Sequence, residues 1–380
     1  MRLLICAGGT GGGVYPALAV LQALKNDPPL DDELSMLWIG SEGGMEAELV
    51  KRAGVTFEAI PAAGVHSVGL RKLPGNLLRL VQGYFKAKEI LRQFDPQVLF
   101  FTGGYVAVPM AIAGRRLPTM LFVPDIEPGL ALRLLSRFSR RIALSVADTK
   151  SFLKKHPGTL VTGYPARPEL QVLDKNTARK SFDLSSEFPV LLVVGGSSGA
   201  RSINRALLQI LPDLLKETQV IHVSGNLDWP EVAERRNQLL DNAEYANLIS
   251  NRYRVFAYLH EDMGAAYSAA DLVLSRAGAS ILGELPMYGL PAILVPYPFA
   301  WHYQKVNAAY LVERGAARIL PDQELPEKLA GLIQNLLTNK AVLSDMRQSM
   351  RNLAHPLAAS TIASSLIELG KQANRRLTKP

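Results

Sequence analysis

The sequence predicts an α/β chain of two Rossmann-like domains facing a cleft, and three observations carry that prediction. The first is a pair of glycine-rich turns, each behind an apolar strand and ahead of an amphipathic helix. RLLICAGGTGGGVYPALAVLQAL places one at Gly8–Gly13, and PVLLVVGGSSGARSINRALLQIL places the other at Gly195–Gly199. A strand ending in glycines lets backbone N–H groups converge on one point with no side chain in the way, which suits a phosphate. The second observation is the steady alternation of strand-length apolar runs with helical segments, the mark of a mostly parallel, doubly wound sheet. The third is size. At roughly 150 residues per domain, 380 residues make two or three domains.

The first half runs LLICA, a helix from Pro16, SMLWIG, a helix through EAELVKRAG, then FEAIPA. A long helix follows, then VLFF, the loop TGGYVAVP, a helix of small residues, TMLFVPD, a helix through LALRLLSRF, IALSV and TLVTG. GYPARPELQVLDKNTARKSFDLSSEFP is polar and proline-rich, which places a boundary near Pro165. The second half repeats the plan with VLLVV, a helix from Arg201, QVIHVSG, a helix through VAERRNQLL, and RVFAY. A helix through EDMGAAYSAA, DLVLS, a helix from Ala279, PAILVP and a helix through QKVNAAYLVERG complete it. The expected domains are therefore 1–165 and 166–355, with a last helix over 356–372 that packs back on the first.

Composition is ordinary for a globular chain, with 48% hydrophobic and 20% charged residues. A single cysteine, Cys6 in the first apolar strand, permits no internal disulfide and fits a reducing cytosol. The N-terminal apolar stretch is broken by glycines too early for a signal peptide, and no run approaches the ~18 apolar residues of a membrane span.

The net charge of +8 is unevenly placed. Residues 66–155 hold 15 Lys/Arg against 5 Asp/Glu, a local +10, and the remainder is −2. An anionic partner on one side is implied. The basic residues are interleaved with Leu and Phe rather than set in a nucleic-acid module, so no nucleic acid is expected. In the long helix from Asn76, periodicity puts Leu77, Leu80, Tyr84 and Leu91 on a core stripe, with Leu78 and Phe85 on its shoulder near Arg79, Lys86 and Arg92. An apolar shoulder rimmed by cations fits an anionic membrane surface, at about 1 kcal/mol per cation. It equally fits a solvated face beside a wide core stripe.

Several nucleotide chemistries are excluded by spacing. Neither turn satisfies G-x-G-x-x-G, so Glu42 after SMLWIG is a weak imitation of a dinucleotide ribose ligand. No Gly-Lys-Ser/Thr follows either turn, no D-x-D pair is present, and the six histidines lack ligand spacing. What remains is a site without metal or cofactor, where backbone dipoles and a few side chains carry a diphosphate.

GGTGGGVYPALAV, TGGYVAVP, GGSSGARSIN, AYLHEDMGAAYSAADLVLSRAGA, the E-x-x-x-x-G-L-P-A-I-L-V-P stretch from Glu284 and Gln304-x-x-Asn307-Ala308 occur in that order across most of the chain. Together they resemble the bacterial UDP-N-acetylglucosamine transferases of the MurG family, which act on undecaprenyl-pyrophosphoryl-N-acetylmuramoyl-pentapeptide (lipid I). The resemblance implies an inverting, metal-independent GT-B glycosyltransferase, peripheral on the cytoplasmic face of the bacterial cell membrane. It would move GlcNAc from UDP-GlcNAc to the C4 hydroxyl of MurNAc, making lipid II for peptidoglycan.

Glu284, one turn into the helix from Ala279, can accept two ribose hydroxyls, and the family's ribose-binding Glu falls there. Taken by itself it also reads as a solvated helix-start carboxylate. Ala279, Ser280, Ile281, Leu282 and Gly283 would form a helix N-terminus beside the diphosphate. By resemblance, Ser197 donates to the same phosphates, Arg167 contacts the nucleotide, the backbone of Leu259 reads the uracil edge, and Gln304 binds GlcNAc hydroxyls. Asn307, three residues on, shares its helix face. Trp301, His302 and Tyr303 read as a hydrophobic lid. Thr10, Gly11 and Gly12 bear on the acceptor side, where Gly103, Gly104 and Tyr105 form a further turn for the acceptor pyrophosphate.

An inverting transfer needs a general base at the attacking hydroxyl, and there the chain departs from the family. The first loop ends Gly12-Gly13-Val14, with Gly13 in place of the His that is usual in the family. Pro124-Asp125-Ile126-Glu127-Pro128 replaces the usual His-Glu-Gln-Asn. The candidate bases are Asp125 and Glu127 at a strand end, with His66 third; a proline-bounded helix-capping turn is the alternative reading of the carboxylates. Competing functions are a related membrane glycolipid glycosyltransferase, the non-hydrolysing UDP-GlcNAc 2-epimerase, and a non-catalytic sugar-nucleotide or lipid-binding protein.

Overall fold

The structure, a computed structural model, describes residues 1–8, 11–27, 34–44, 46–64, 73–153, 156–196, 199–298 and 303–377. The chain divides into two compact units, residues 1–168 with 355–380, and residues 169–354. Each is built on its own parallel sheet.

The first unit contains β1 (Arg2–Cys6), α1 (Gly11–Asn26), β2 (Ser35–Ser41), α2 (Glu46–Arg52), β3 (Thr56–Ile60), α3 (Leu73–Phe94), β4 (Val98–Phe101), α4 (Ala107–Ala113), β5 (Thr119–Val123), α5 (Leu130–Ser136), β6 (Arg141–Leu144) and β7 (Thr159–Val161). The seven strands lie in the order β3-β2-β1-β4-β5-β6-β7, every pair parallel. β1, β4 and β5 are apolar on both faces and wholly buried apart from Arg2, as a sheet covered by helices on both sides requires.

The second unit contains α6 (Lys175–Lys180), β8 (Val190–Val194), α7 (Arg201–Leu214), β9 (Gln219–Val223), α8 (Trp229–Asp241), α9 (Ala246–Arg252), β10 (Tyr253–Phe256), α10 (Met263–Ala269), β11 (Leu272–Ser275), α11 (Glu284–Tyr288), β12 (Ala292–Leu294), α12 (Tyr303–Glu313), β13 (Ala317–Ile319), α13 (Leu325–Thr338) and α14 (Lys340–Arg351). Its six parallel strands run β10-β9-β8-β11-β12-β13. The core of α7, α13 and the sheet is aliphatic, from Leu191 and Ile203 to Leu329 and Met346.

The closing helix α15 (Ala358–Leu377) belongs to the first unit. Arg141 on β6 donates to Ser365 Oγ and to Glu368 Oε2, both at 2.7 Å. A side chain at Gly370 would strike Met1, its Cβ falling 2.7 Å from Met1 Sδ.

Both sheets therefore reverse their winding at one place, between β1 and β4 in the first and between β8 and β11 in the second. Open α/β sheets bind ligands outside the carboxyl ends of the strands at such switch points. Both glycine turns of the sequence leave from that point.

Four local expectations are corrected. α1 begins at Gly11, not Pro16, so Pro16 lies inside the helix and leaves one carbonyl of its first turn without an N–H partner. α4 begins at Ala107, so the last residues of TGGYVAVP are helical. Glu284 does not lie one turn into a helix from Ala279. A 3₁₀ turn over Ala279–Leu282 ends at Gly283, and α11 starts anew at Glu284. In α3 the buried stripe is Gly83, Ala87 and Ile90, with Leu80, Tyr84 and Leu91 half-buried, and Leu77 is 49% exposed. The cause is a close approach. Gly83 lies so near the Pro61 carbonyl that a Cβ would overlap it, and this fixes which face of α3 turns inward.

Candidate functional site

Two constellations form, one at each switch point. In the first unit, the Trp38 indole donates to Ala7 O at 2.9 Å, holding the chain where it leaves β1. Thr102, just past β4, donates its hydroxyl to Gly13 O at 2.7 Å. Gly103 (φ +126°) and Gly104 (φ +85°) take backbone conformations that favour glycine. A Cβ on Gly104 would fall 2.7 Å from Gly8 O, so the turns after β1 and β4 touch through bare backbone. Gly11, Gly12, Gly103, Gly104 and the half-exposed Tyr105 thus belong to one edge. Thr10 lies outside the described residues, as do His66, Ser197, Trp301 and His302.

Asp125 and Glu127 follow β5, the next strand outward. Asp125 is half-buried. Glu127 is engaged by Arg133 of α5 at 2.9 Å, and Arg133 also donates to Pro128 O at 2.9 Å. α5 starts at Gly129 without a side-chain cap, so this segment braces the helix through an ion pair rather than capping it. Arg167 lies in the first unit with its guanidinium 5.1 Å from the centre of the Tyr15 ring.

In the second unit the turn after β8 includes Gly196 (φ +81°) and Gly199 (φ +91°). Arg276, just past β11, joins the elements around it. It pairs with Asp322, donates to Ser202 Oγ at 2.8 Å and to Val295 O at 3.2 Å, and lies over the Tyr297 ring. Ser202 in turn donates to Asp322 at 2.8 Å. Asn307 is fully buried, and its amide donates to Ala277 O at 3.2 Å. Gln304 Oε1 accepts the Tyr297 N–H at 2.8 Å. Glu284, 4% exposed, accepts the Tyr267 hydroxyl at 2.9 Å. A carboxylate held this way keeps a fixed direction while retaining further acceptor capacity. Ala279, Ile281 and Leu282 are buried, Ser280 and Gly283 half-buried, and Leu259 is buried in the segment after β10.

Behind this edge runs a buried polar chain. Asn204 donates to Ser224 O at 2.9 Å and to Asp228 Oδ2 at 3.0 Å, so its Oδ1 faces His222 Nε2 at 2.9 Å. His222 must then carry its proton on Nε2, and Nδ1 accepts from the Tyr253 hydroxyl at 2.8 Å. Burial pushes His222 down to about 3.

Sequence reasoning missed Arg276, Ser202, Asp322, Tyr267 and the His222 chain. Arg276 had one legible signal, a cation directly after an apolar strand in LVLSRAGAS. Its partners come from 46 and 74 residues away. Among the described residues, no three His, Cys, Asp or Glu side chains gather as metal ligands, and no helix is long and apolar enough to cross a membrane.

Comparison with known proteins agrees with this layout. Residues 3–144 match the glycosyltransferase family 28 N-terminal domain and residues 190–362 its C-terminal domain. The chain is 38% identical to the UDP-N-acetylglucosamine–N-acetylmuramyl-(pentapeptide) pyrophosphoryl-undecaprenol N-acetylglucosamine transferase of Roseiflexus sp. (strain RS-1), over 96% of this chain and 94% of that protein. It is 35% identical to the protein of the same name from Natranaerobius thermophilus, over 97% and 100%. The crystal structure of Acinetobacter baumannii MurG superposes with a TM-score of 0.74 at 26% identity, covering 97% of this chain and 99% of that one. A UDP-GlcNAc 2-epimerase from Neisseria meningitidis gives 0.66 at 14% identity, covering 97% and 100%, a likeness of fold alone. The architecture is the GT-B pairing of two Rossmann-like domains.

His222 makes stability depend on pH. The unfolded chain protonates this histidine below about 6.5, whereas the folded chain resists until near 3. Its contribution is complete above pH 6.5 and is lost as the pH falls towards 3, on the order of 3 kcal/mol by pH 4. His222→Gln should flatten the fall of the urea midpoint between pH 7 and pH 4. A variant with the wild-type slope would contradict this.

Proposed function

The chain belongs to glycosyltransferase family 28, and within it to the UDP-N-acetylglucosamine–N-acetylmuramyl-(pentapeptide) pyrophosphoryl-undecaprenol N-acetylglucosamine transferases. It is a hexosyltransferase, and we propose that it moves GlcNAc from UDP-GlcNAc to the C4 hydroxyl of MurNAc in lipid I with inversion at the anomeric carbon. The observation that carries the donor assignment is Arg276 beside the β8/β11 switch point, joined to Ser202 behind the glycine turn and to Tyr297, whose N–H is held by Gln304.

In this reading Glu284 accepts the ribose hydroxyls, its direction fixed by Tyr267. Ala279 and Ser280, at the start of the 3₁₀ turn, offer donors to the diphosphate. Gly199 keeps the turn after β8 free of a side chain while its own N–H is held by Gly196 O at 3.1 Å. Ser197 is assigned to the same phosphates by resemblance. Gln304, with Oε1 committed to Tyr297, offers its amide nitrogen to GlcNAc. Asn307 acts through the Ala277 carbonyl that it holds. Leu259 reads the uracil edge, and Arg167 contacts the nucleotide.

The acceptor pyrophosphate rests on the backbone edge of Gly11, Gly12, Gly103, Gly104 and Tyr105, with Thr10 assigned to the acceptor by resemblance. The attacking C4 oxygen forms its bond to the anomeric carbon as the bond to UDP breaks, and its proton passes to a base. A side chain at Gly13, where the family's histidine falls, would set its Cβ 3.3 Å from the Thr102 carbonyl, which would have to give by a few tenths of an ångström. Asp125, half-buried just past the end of β5, is assigned as the base, with Glu127 and then His66 as the other candidates.

The first unit also supplies a membrane surface. Leu77, Leu78, Val81 and Phe85 share one exposed face of α3, with Phe85 at 64%. Arg79, Lys88 and Arg92 are exposed on the same helix, and Lys86 pairs with Glu89. An apolar stripe with cations beside it suits the anionic cytoplasmic face of the cell membrane, where a lipid-linked acceptor resides.

With a lipid I analogue, the protein should release UDP from UDP-GlcNAc in the presence of EDTA. Asp125→Ala should lower kcat by about a hundredfold with donor affinity retained. Conversion of UDP-GlcNAc without any acceptor would move the assignment to an epimerase. Wild-type kcat in Asp125→Ala would remove the residue from the chemistry. Leu78→Ser with Phe85→Ser should weaken sedimentation with phosphatidylglycerol vesicles by about tenfold or more. Equal binding would take α3 off the membrane.

A further inference from the structure

Each Rossmann-like unit packs a buried carboxylate against its own glycine turn, and both carboxylates come from equivalent places. Glu46 follows β2 and opens α2. Asp228 follows β9 and precedes α8. In dinucleotide-binding folds an acidic side chain near the end of the second strand reaches a ribose. Here both are turned inward instead.

Glu46 is completely buried. Its Oε1 accepts both the N–H and the hydroxyl of Ser41 at 2.7 Å. Its Oε2 is buried with no hydrogen-bond partner. Three glycines make room for it. A Cβ on Gly8 would fall 2.6 Å from Oε1, one on Gly40 would fall 2.8 Å from Cγ, and one on Gly44 would overlap the carboxylate. Gly8 O in turn abuts Gly104, so the position of Glu46 reaches both acceptor-side turns through backbone contact.

Asp228 is the counterpart at 5% exposure. Its Oδ2 accepts Asn204 Nδ2 at 3.0 Å and lies 2.5 Å from where a Cβ on Gly199 would sit. Its Oδ1 accepts Arg201 Nε at 3.2 Å.

A buried polar oxygen left without a partner costs free energy, and a well-packed chain keeps one only where something else depends on its position. We propose that Glu46 and Asp228 are positioning residues that set the two glycine turns separately, Glu46 the turns for the acceptor diphosphate and Asp228 the turn for the donor diphosphate. This rests on the assignment of acceptor to the first unit and donor to the second. Neither carboxylate touches substrate. Each fixes how closely its turn can approach the neighbouring backbone, and small misplacements at a reacting site have large kinetic consequences.

The test is a set of variants of the full chain, assayed for acceptor KM with a lipid I analogue and for UDP-GlcNAc Kd by calorimetry. Glu46→Asp draws the carboxylate back by one methylene. It should raise acceptor KM by about tenfold with UDP-GlcNAc Kd within about twofold of wild type. Glu46→Gln keeps length and shape, and should recover most of that loss. Ser41→Ala removes one donor from Oε1 and should shift acceptor KM in the same direction by less, which serves if Glu46→Asp does not fold. Asp228→Ala should do the reverse, weakening UDP-GlcNAc by about tenfold at unchanged acceptor KM.

Equal effects of Glu46→Asp on both substrates would overturn the proposal, as would lowered melting temperature with both constants unchanged, or Gln behaving no better than Asp. If the wild-type chain proves to use another acceptor, the function assignment falls. The donor arm still decides the inference, because Asp228→Ala must weaken UDP-GlcNAc and Glu46→Asp must not.

Discussion

A parallel strand that ends in glycine delivers backbone rather than side chain to the carboxyl edge of its sheet, and everything functional in this protein depends on that. Two sheets with the strand order 3-2-1-4 each reverse winding beside such a turn. At the first, Gly8 and Gly104 meet through bare backbone. At the second, Gly196 and Gly199 adopt positive φ. On the proposed reading, a side chain there would occupy the space meant for a diphosphate. The geometry also explains how anion binding can rest on backbone dipoles and a few side chains.

Bare backbone is weakly held, so the surrounding side chains fix it. In the second unit Arg276 ties the start of α7, the exit of β12 and the Asp322 turn into one piece. The Tyr253–His222–Asn204–Asp228 chain supports the same turn from beneath. Every link in that chain has one donor and one acceptor, and burial keeps His222 neutral, so the order of protons along it is fixed. The first unit uses Trp38, Thr102 and Glu46 for the equivalent purpose. The contrast is informative. Among the described residues, the second unit leaves no buried side-chain nitrogen or oxygen without a hydrogen bond, while the first retains one on Glu46 beside its turn.

Much of this was legible in the sequence because strands and glycine turns are local. LLICA and VLLVV followed by glycines gave the strand and the turn without tertiary information, whereas the switch point needed the strand order. Glu284, Gln304 and Asn307 were singled out by motif order, not by chemistry, since a helix-start Glu by itself reads equally as a solvated cap. What was hidden depends on distant partners. Arg276 meets residues 46 and 74 positions away, and Asn204 on α7 meets His222 and Asp228, 18 and 24 positions on. The helical period of α3 was readable, but its phase was not. The near-contact of Gly83 with the Pro61 carbonyl rotates the helix and puts Leu77 outside. α1 starts early for a similar reason, because helix propensity penalises glycine while Thr102 bonding to Gly13 O fixes that glycine within the first turn.

The central claim is that the C-terminal unit holds the uridine sugar diphosphate through Glu284 and backbone dipoles. Calorimetric titration of UDP-GlcNAc into the full chain with EDTA present, for wild type and Glu284→Ala, tests it most directly. The account predicts saturable binding by wild type and a loss of about a hundredfold in the variant, the worth of two hydrogen bonds to a charged group. No heat from the wild-type chain, or equal affinity in the two proteins, would contradict it.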